Sequence, residues 1–251
     1  MEVLKLEFEG MTASFRYPHY TWGRQPTYFM PPPSTIYGLI SAAIGNWVDP
    51  HTMKFAYQFQ YESKSEDLEH VHAVSASGGS FPYQGQKVPK NLDGNINPIQ
   101  REFLYHPKLT LYLDRLDFRE PFLEPRYPLV LGRSQDLITL LSAKILKLQE
   151  SDKVYFEHTL LPWEWRPLTR MGITVMMPQF IDTANERQVT FARFIILQQR
   201  LYSLQNEERS LSNKHVMMQI GHQHRKFWFD PEMDEEKGYG RGVIFHEFFP
   251  Q

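Results

Sequence analysis

Three consecutive prolines, Pro31 to Pro33, run directly into STIYGLISAAIGNW, and this segment constrains the fold more than any other in the chain. Proline fixes φ and lacks an N–H, so the triplet stiffens the approach and marks where a helix can begin. Ser34 is the expected N-cap, and Ile36, Leu39, Ile40, Ala43 and Ile44 form one apolar stripe at helical spacing. Such a stripe must be buried against another element. Upstream, Val3 to Glu9 sets Leu4, Leu6 and Phe8 on one face and Lys5, Glu7 and Glu9 on the other. That is the period of a half-buried strand, ended by Gly10.

Residues 53–61 and 69–77 read as strands, as do 99–105 and 108–116, split by His106-Pro107. Between them, 77–98 lacks periodicity and carries Gly78, Gly79, Gly85 and Gly94, the mark of a functional or disordered segment. Residues 126–131 form a short extended piece, Ser134 is expected to cap a second helix over QDLITLL, and 143–149 alternate as a strand. The result is β-α-β-β followed by β-α-β, an α+β chain of the ferredoxin-like pattern that also builds RRM-type RNA binders. From about 152 onward, residues 153–159, 172–180 and 188–198 are candidate strands, and 209–221 a short helix or a loop. Residues 203–213 and 230–242 are polar and are expected at the surface.

Charge speaks to function through its distribution. The net charge of −2 and pI of 6.6 lack the basic surplus of a free-standing nucleic-acid binder. Yet Gly10 to Val48 contains no Asp or Glu while holding Arg16 and Arg24, and His72 to Leu92 contains none while holding Lys87 and Lys90. A carboxylate in a phosphate groove would repel its ligand, so acid-free runs with interleaved aromatics suit a polyanion surface. A buried segment would look the same.

Two motifs sharpen the first reading. In Gly10-Met-Thr-Ala-Ser14-Phe-Arg16 a strand end is followed by hydroxyls and a guanidinium, groups that can meet phosphate. In Glu124-Pro-Arg126-Tyr-Pro-Leu-Val-Leu-Gly-Arg133-Ser134 a helix start beside Arg133 offers free N–H groups and positive partial charge. Each is also compatible with an ordinary turn. The stretch 77–101, with Phe81, Tyr83 and Arg101, suits an arm laid against single-stranded RNA or a plain surface loop.

The same residues exclude much. Zero cysteines rule out disulfides and thiolate metal sites and fit a reducing cytoplasm. His70-x-His72 and His222-x-His224 lack an evident third ligand, so no metal or cofactor is expected. G-x-S-x-G, Walker and G-x-G-x-x-G patterns are absent, and Gly238-Tyr-Gly-Arg-Gly242 sits in a charged tail with no expected strand before it. MEVLKLEFEG has no apolar core of a signal peptide, and no apolar run could span a membrane.

Taken in order, G-x-x-x-S-F-R, then Y-F-M-P-P-P-S-T-I-Y-G-L-I-S-A-A-I-G, then a glycine-rich arm closed by Arg101-Glu-Phe-Leu104, then P-R-Y-P-L-V-L-G-R-S resemble the fifth family of CRISPR-associated proteins. These are RAMP subunits of type I Cascade complexes, and the helix segment looks most like the type I-B or I-A versions. The resemblance covers about residues 1–145. It implies an RRM-like palm over 1–150 with a β-hairpin thumb at about 78–98, and a β-rich part over 151–251 that could be a reduced second RAMP-like unit. It implies a subunit that binds the 5′ handle of the guide RNA and caps the complex beside the backbone RAMP subunits and the large subunit, reaching target DNA through them. The candidate RNA contacts are Ser14, Arg16, Arg24, Lys87, Lys90, Arg101, Arg126, Arg133 and Ser134. One branch of the family cleaves precursor RNA with a Tyr, a Lys and a His. Here the first helix ends Ala43-Ile-Gly-Asn46, and Lys214-His215 falls too late, so no catalytic residue is expected. The rival readings are a guide-processing endoribonuclease using a base such as His106, and an RNA-binding scaffold outside CRISPR.

Overall fold

The computed structural model describes residues 1–20, 22–76, 78–90, 92–203, 215–217, 225–233, 235 and 238–249. Strand β1 (Glu2–Gly10) leads through the short β2 (Thr12–Ala13) and β3 (Arg24–Gln25) to helix α1 (Pro33–Ile44). The helix begins two residues earlier than expected: Pro32 is the N-cap in place of Ser34, Pro33 opens the first turn, and there is no side-chain cap hydrogen bond. Proline loses nothing there, because a first-turn N–H has no helical partner. Gly45 closes α1 at φ +86°, its N–H donating to the Ser41 carbonyl at 2.8 Å.

Strand β4 (Phe55–Gln60) follows, then β5 (Ser63–Ala76), β6 (Ser80–Tyr83), β7 (Gln86–Pro89), β8 (Leu92–Tyr105) and β9 (Lys108–Leu113). The stretch expected to be irregular is therefore a hairpin. β5 and β8, 14 residues each, pair along their whole length, and β6 and β7 form the tip around Gln84-Gly85, both at positive φ. The arm starts at 63, so a thumb drawn at 78–98 covers only its outer half. Nearly every β5 side chain is exposed, and a strand wet on both faces carries no alternating apolar signal. Its root is held by β2, pairing at Leu104–Tyr105, and by β3, pairing at Gln100–Arg101.

The second helix is α2 (Arg119–Leu123), where Phe122 meets Phe8 edge-on at 5.8 Å. QDLITLL is not helical: residues 133–136 form a turn, and Ile138 enters strand β10 (Ile138–Lys147). A short apolar run fits either period, and here pairing with β1 decides, from Gly10↔Ile138 to Glu2↔Lys147.

The remaining strands are β11 (Gln149–Ser151), β12 (Val154–Phe156), β13 (Thr159–Pro162), β14 (Ile173–Asp182), β15 (Gln188–Leu197), β16 (Leu201–Tyr202), β17 (Phe227–Asp230) and β18 (Gly240–Val243). The main sheet runs β10-β1-β9-β4-β13-β15-β14, antiparallel throughout. One sheet thus crosses the boundary expected near residue 150. α1 covers the face bearing Leu4, Leu6 and Phe8 in the largest apolar cluster. The other face carries Val3 and Tyr112 against Leu148 and Val243, next to the second sheet, β11-β17-β18-β12-β16. β1 is therefore covered on both sides, and Lys5 is buried instead of wet. Its Nζ donates to Asp230 at 2.6 Å, and the Tyr112 hydroxyl donates to the same carboxylate at 2.8 Å.

The expected exposed tail at 230–242 is corrected likewise. Asp230, Gly240, Arg241 and Gly242 are buried, β17 precedes them, and a Cβ on Gly242 would strike the Phe156 ring. His222, His224 and Lys214, with most of the expected 203–213 and 209–221 pieces, lie outside the described residues. Among the described residues no helix is long and apolar enough to cross a membrane.

Candidate nucleic-acid interface

The two motifs singled out in the sequence meet at the hairpin root. Gly132 sits at φ +116° against the backbone of Ser14, and a Cβ there would lie 2.2 Å from the Ser14 carbonyl oxygen. Only glycine allows both the conformation and the approach. The Thr12 hydroxyl donates to Asp136 at 2.6 Å, fastening the first loop to the second. Ser14 is buried and its hydroxyl donates to the Glu102 carbonyl at 2.8 Å, so it secures β8 instead of facing a ligand.

The arginines gathered here are engaged by carboxylates. Arg133 donates to Asp136 through Nε and Nη2, both at 2.9 Å, and through Nη1 to Glu69 at 2.5 Å. Arg101 Nε donates to the other Glu69 oxygen at 2.6 Å. Arg24 bonds Glu66 and reaches Glu102 at 3.1 Å, where Lys64 also arrives at 3.1 Å. Four cations, Arg24, Lys64, Arg101 and Arg133, thus face four carboxylates, Glu66, Glu69, Glu102 and Asp136. Burial alone would raise the Glu69 carboxyl, but hydrogen bonds from Arg133 and Arg101 outweigh it and hold the group below its usual range. The Arg133 side chain is 11% exposed. Asp136, fully buried, also accepts the Arg133 N–H at 3.0 Å, so this corner is a carboxylate-closed turn and not a helix N-terminus.

Arg16 differs. It is exposed, it bridges to Thr27 through the backbone, and no ion pair joins its guanidinium to a carboxylate among the described residues. Ser134 is exposed on the neighbouring turn. Six of the nine candidate contacts, Ser14, Arg16, Arg24, Arg101, Arg133 and Ser134, therefore share this region. Lys87 and Lys90 lie on the distal part of the hairpin, and Arg126 packs on Gly45 at the far end of α1, its N–H donating to the Ala43 carbonyl at 3.0 Å.

The sequence reading missed Lys64, Glu66, Glu69, Glu102 and Asp136. Only the β5–β8 register, with Glu66 opposite Glu102 and Asp67 opposite Arg101, brings most of them together. Among the histidines, His70 and His72 stand exposed on β5, and His106 Nδ1 lies 3.1 Å from Glu62 with its ring on Tyr105. Among the described residues no three His, Asp or Glu gather in a way that could hold a metal ion.

The model of a family described as CRISPR-associated protein (Cas_Cas5) matches residues 3–195, well over half of the chain. The chain belongs to the Cas5 family of CRISPR-associated proteins. The match takes in the hairpin, both motif loops and most of the seven-stranded sheet of this Cas5-family chain. No curated protein matches its sequence. In fold it is similar to a chain of a CRISPR RNA-guided surveillance complex, at TM-score 0.51 and 16% identity, over 85% of this chain and 97% of that one. A CRISPR protein from Archaeoglobus fulgidus aligns at TM-score 0.45 and 10% identity, over 98% of this chain and 100% of that one.

Proposed function

We propose that this Cas5-family chain is a non-catalytic subunit of a CRISPR effector complex, binding the 5′ handle of the guide RNA and capping the assembly at that end. Family membership supports the CRISPR context. The first four long strands of the main sheet lie in the order β10-β1-β9-β4, with α1 between β1 and β4 and α2 between β9 and β10. We read this as a ferredoxin-like, RRM-type palm, and the β5–β8 hairpin as its thumb. The observation that carries the reading is the junction of Ser14 with Gly132 at the thumb root. It joins two loops more than 100 residues apart, next to Arg16, which makes no ion pair among the described residues.

A near-neutral chain is consistent with this role. Within an effector complex the guide reads the target by base pairing, and a subunit at one end needs only a local patch for handle and backbone. Backbone RAMP subunits and the large subunit are then its neighbours, target DNA is reached through the assembly, and the cytoplasm is the compartment implied.

The non-catalytic part rests on the end of α1. A cavity of about 390 Å³ there is lined by Gly38, Ser41, Ala42, Gly45, Asn46, Trp47 and Tyr127. Among the described residues lining it there is one phenol and no lysine or histidine, so a nucleophile there would lack a general base from that lining. Two measurements test the proposal together. Complexes reconstituted with this chain should protect a guide of uniform 5′ end, and complexes without it should not; equal protection would overturn the capping role. Purified chain incubated with repeat RNA should leave it intact, and a discrete cut would establish the endoribonuclease instead.

A further inference from the structure

The loop between β2 and β3 carries a feature that the clasp of arginines and carboxylates does not use. Tyr28, 1% exposed, anchors in the core and donates its hydroxyl to the Met176 carbonyl at 2.8 Å. Tyr17 lies over Tyr28 with ring centroids 3.7 Å apart. His19 and Tyr20 follow at 5.7 and 6.0 Å from Tyr17, and touch one another at 4.9 Å. This is a ladder of rings that starts in the core and ends in solvent at Tyr20, 46% exposed; Trp22, 77% exposed, stands two residues further on without a ring contact among the described residues.

The loop is braced at its far side as well. Gly23 turns at φ +70°, and its carbonyl accepts the Gln100 N–H of β8 at 2.8 Å, tying the segment to the hairpin root. Exposed tryptophan is costly to leave in water, and a rigid ring ladder loses little entropy on stacking. The whole of 10–48 lacks carboxylates, and Arg16, the one candidate arginine of this region outside the clasp, stands at the loop's start.

We propose that Tyr20 and Trp22, with Arg16 at the start of the same loop, form a stacking platform for unpaired nucleobases of a single-stranded RNA. The inference rests on the RNA-binding reading above and assigns it to particular side chains. Rings stack on any base, whereas the arginine neutralises a backbone phosphate, so the platform is tolerant of sequence and sensitive to salt. A protein surface is the competing occupant. It is disfavoured because the Arg16 guanidinium, which makes no ion pair among the described residues, matches a polyanion.

The test uses the full-length chain and labelled eight-nucleotide oligouridine and oligoadenosine, followed by fluorescence anisotropy over a range of salt. Trp22→Ala is expected to weaken binding by roughly 5- to 150-fold, the value of one lost base–ring stack. Trp22→Phe should stay within about threefold of wild type, since a phenyl ring still stacks. Trp22→Ala should keep the slope of log affinity against log salt, while Arg16→Ala should reduce it by about 0.7, the value for one phosphate contact on a single strand. Both side chains are exposed, and an unchanged thermal melt verifies that the fold is intact. Tight RNA binding unaffected by Trp22→Ala would overturn the platform and leave the RNA-binding reading standing. So would loss of protein partners alone on Trp22→Ala, which would mark a protein interface. Failure of the wild-type chain, free and in the reconstituted complex, to retain any RNA would overturn both.

Discussion

Replacing Asp230 by alanine removes a buried carboxylate that bridges the two sheets. Asp230 is fully buried, and it accepts hydrogen bonds from Lys5 at 2.6 Å, from Tyr112 at 2.8 Å and from the Glu232 N–H at 2.8 Å. Alanine leaves an ammonium, 2% exposed, without its partner and a buried phenol without an acceptor. Removing one member of a buried ion pair typically costs about 3–5 kcal/mol, because the surviving charge stays desolvated. Glu7 at 3.7 Å and Glu232 at 3.9 Å from Lys5 soften this only in part, since both are at van der Waals range or beyond for a hydrogen bond and both are partly exposed. A loss of roughly 4 kcal/mol corresponds to a fall in melting temperature of about 8–16 °C for a chain of this size. Urea denaturation followed by tryptophan fluorescence reads the change, with m held constant. The triple variant Lys5→Met, Tyr112→Phe, Asp230→Leu should recover most of the loss, because an apolar replacement of a buried pair is often neutral or better. A deficit below about 1 kcal/mol for Asp230→Ala would refute the reasoning, and so would a triple variant no better than the single one.

Two further outcomes follow from the same kind of accounting. Gly132→Ala places a Cβ 2.2 Å from the Ser14 carbonyl at φ +116°, so it should cost at least about 1–3 kcal/mol and part the two motif loops, whereas Gly94→Ala, with open space around it, should be near neutral in thermal unfolding. His246 is buried, its pKa is pushed down to about 4 by that burial, and its Nε2 lies 2.9 Å from the Leu160 carbonyl, which requires the hydrogen on that nitrogen. The unfolded chain takes up a proton near the ordinary value of 6.5 and the folded chain resists it, so this contribution is intact above pH 6.5 and lost as pH falls toward 4. The loss amounts to about 3 kcal/mol, and His246→Gln should flatten that part of the pH–stability curve.

Much of the fold was legible because it rests on short-range pattern. β1 followed from its alternation, α1 from its prolines and apolar stripe, and β9, β14 and β15 from runs of Ile, Leu, Phe and Val. The misreadings came where a local pattern has two solutions or none. Residues 135–141 suit a helix as well as a strand, and only the nine-residue edge of β1 settles the matter. β5 is exposed on both faces, so only its outer part, 69–76, reads as a strand from the sequence, and its first six residues do not. Lys5 and Asp230 each look like surface charges, and each is buried only because the other is, 225 residues away.

The site was legible to the same depth and no further. Arg24, Arg101 and Arg133 were picked out by charge and motif, and they do gather at the hairpin root. The carboxylates that engage them come from β5, β8 and the turn after Gly132, so a segment free of acid in sequence is not free of it in space. Paired in this way, those arginines fix the hairpin's angle to the sheet, and a phosphate would have to displace a carboxylate to reach them. Arg16 makes no ion pair with a carboxylate among the described residues and directly precedes Tyr17 of the ring ladder in the chain. Among the described cations of this region, Arg16 is therefore one whose charge is not already met by a carboxylate.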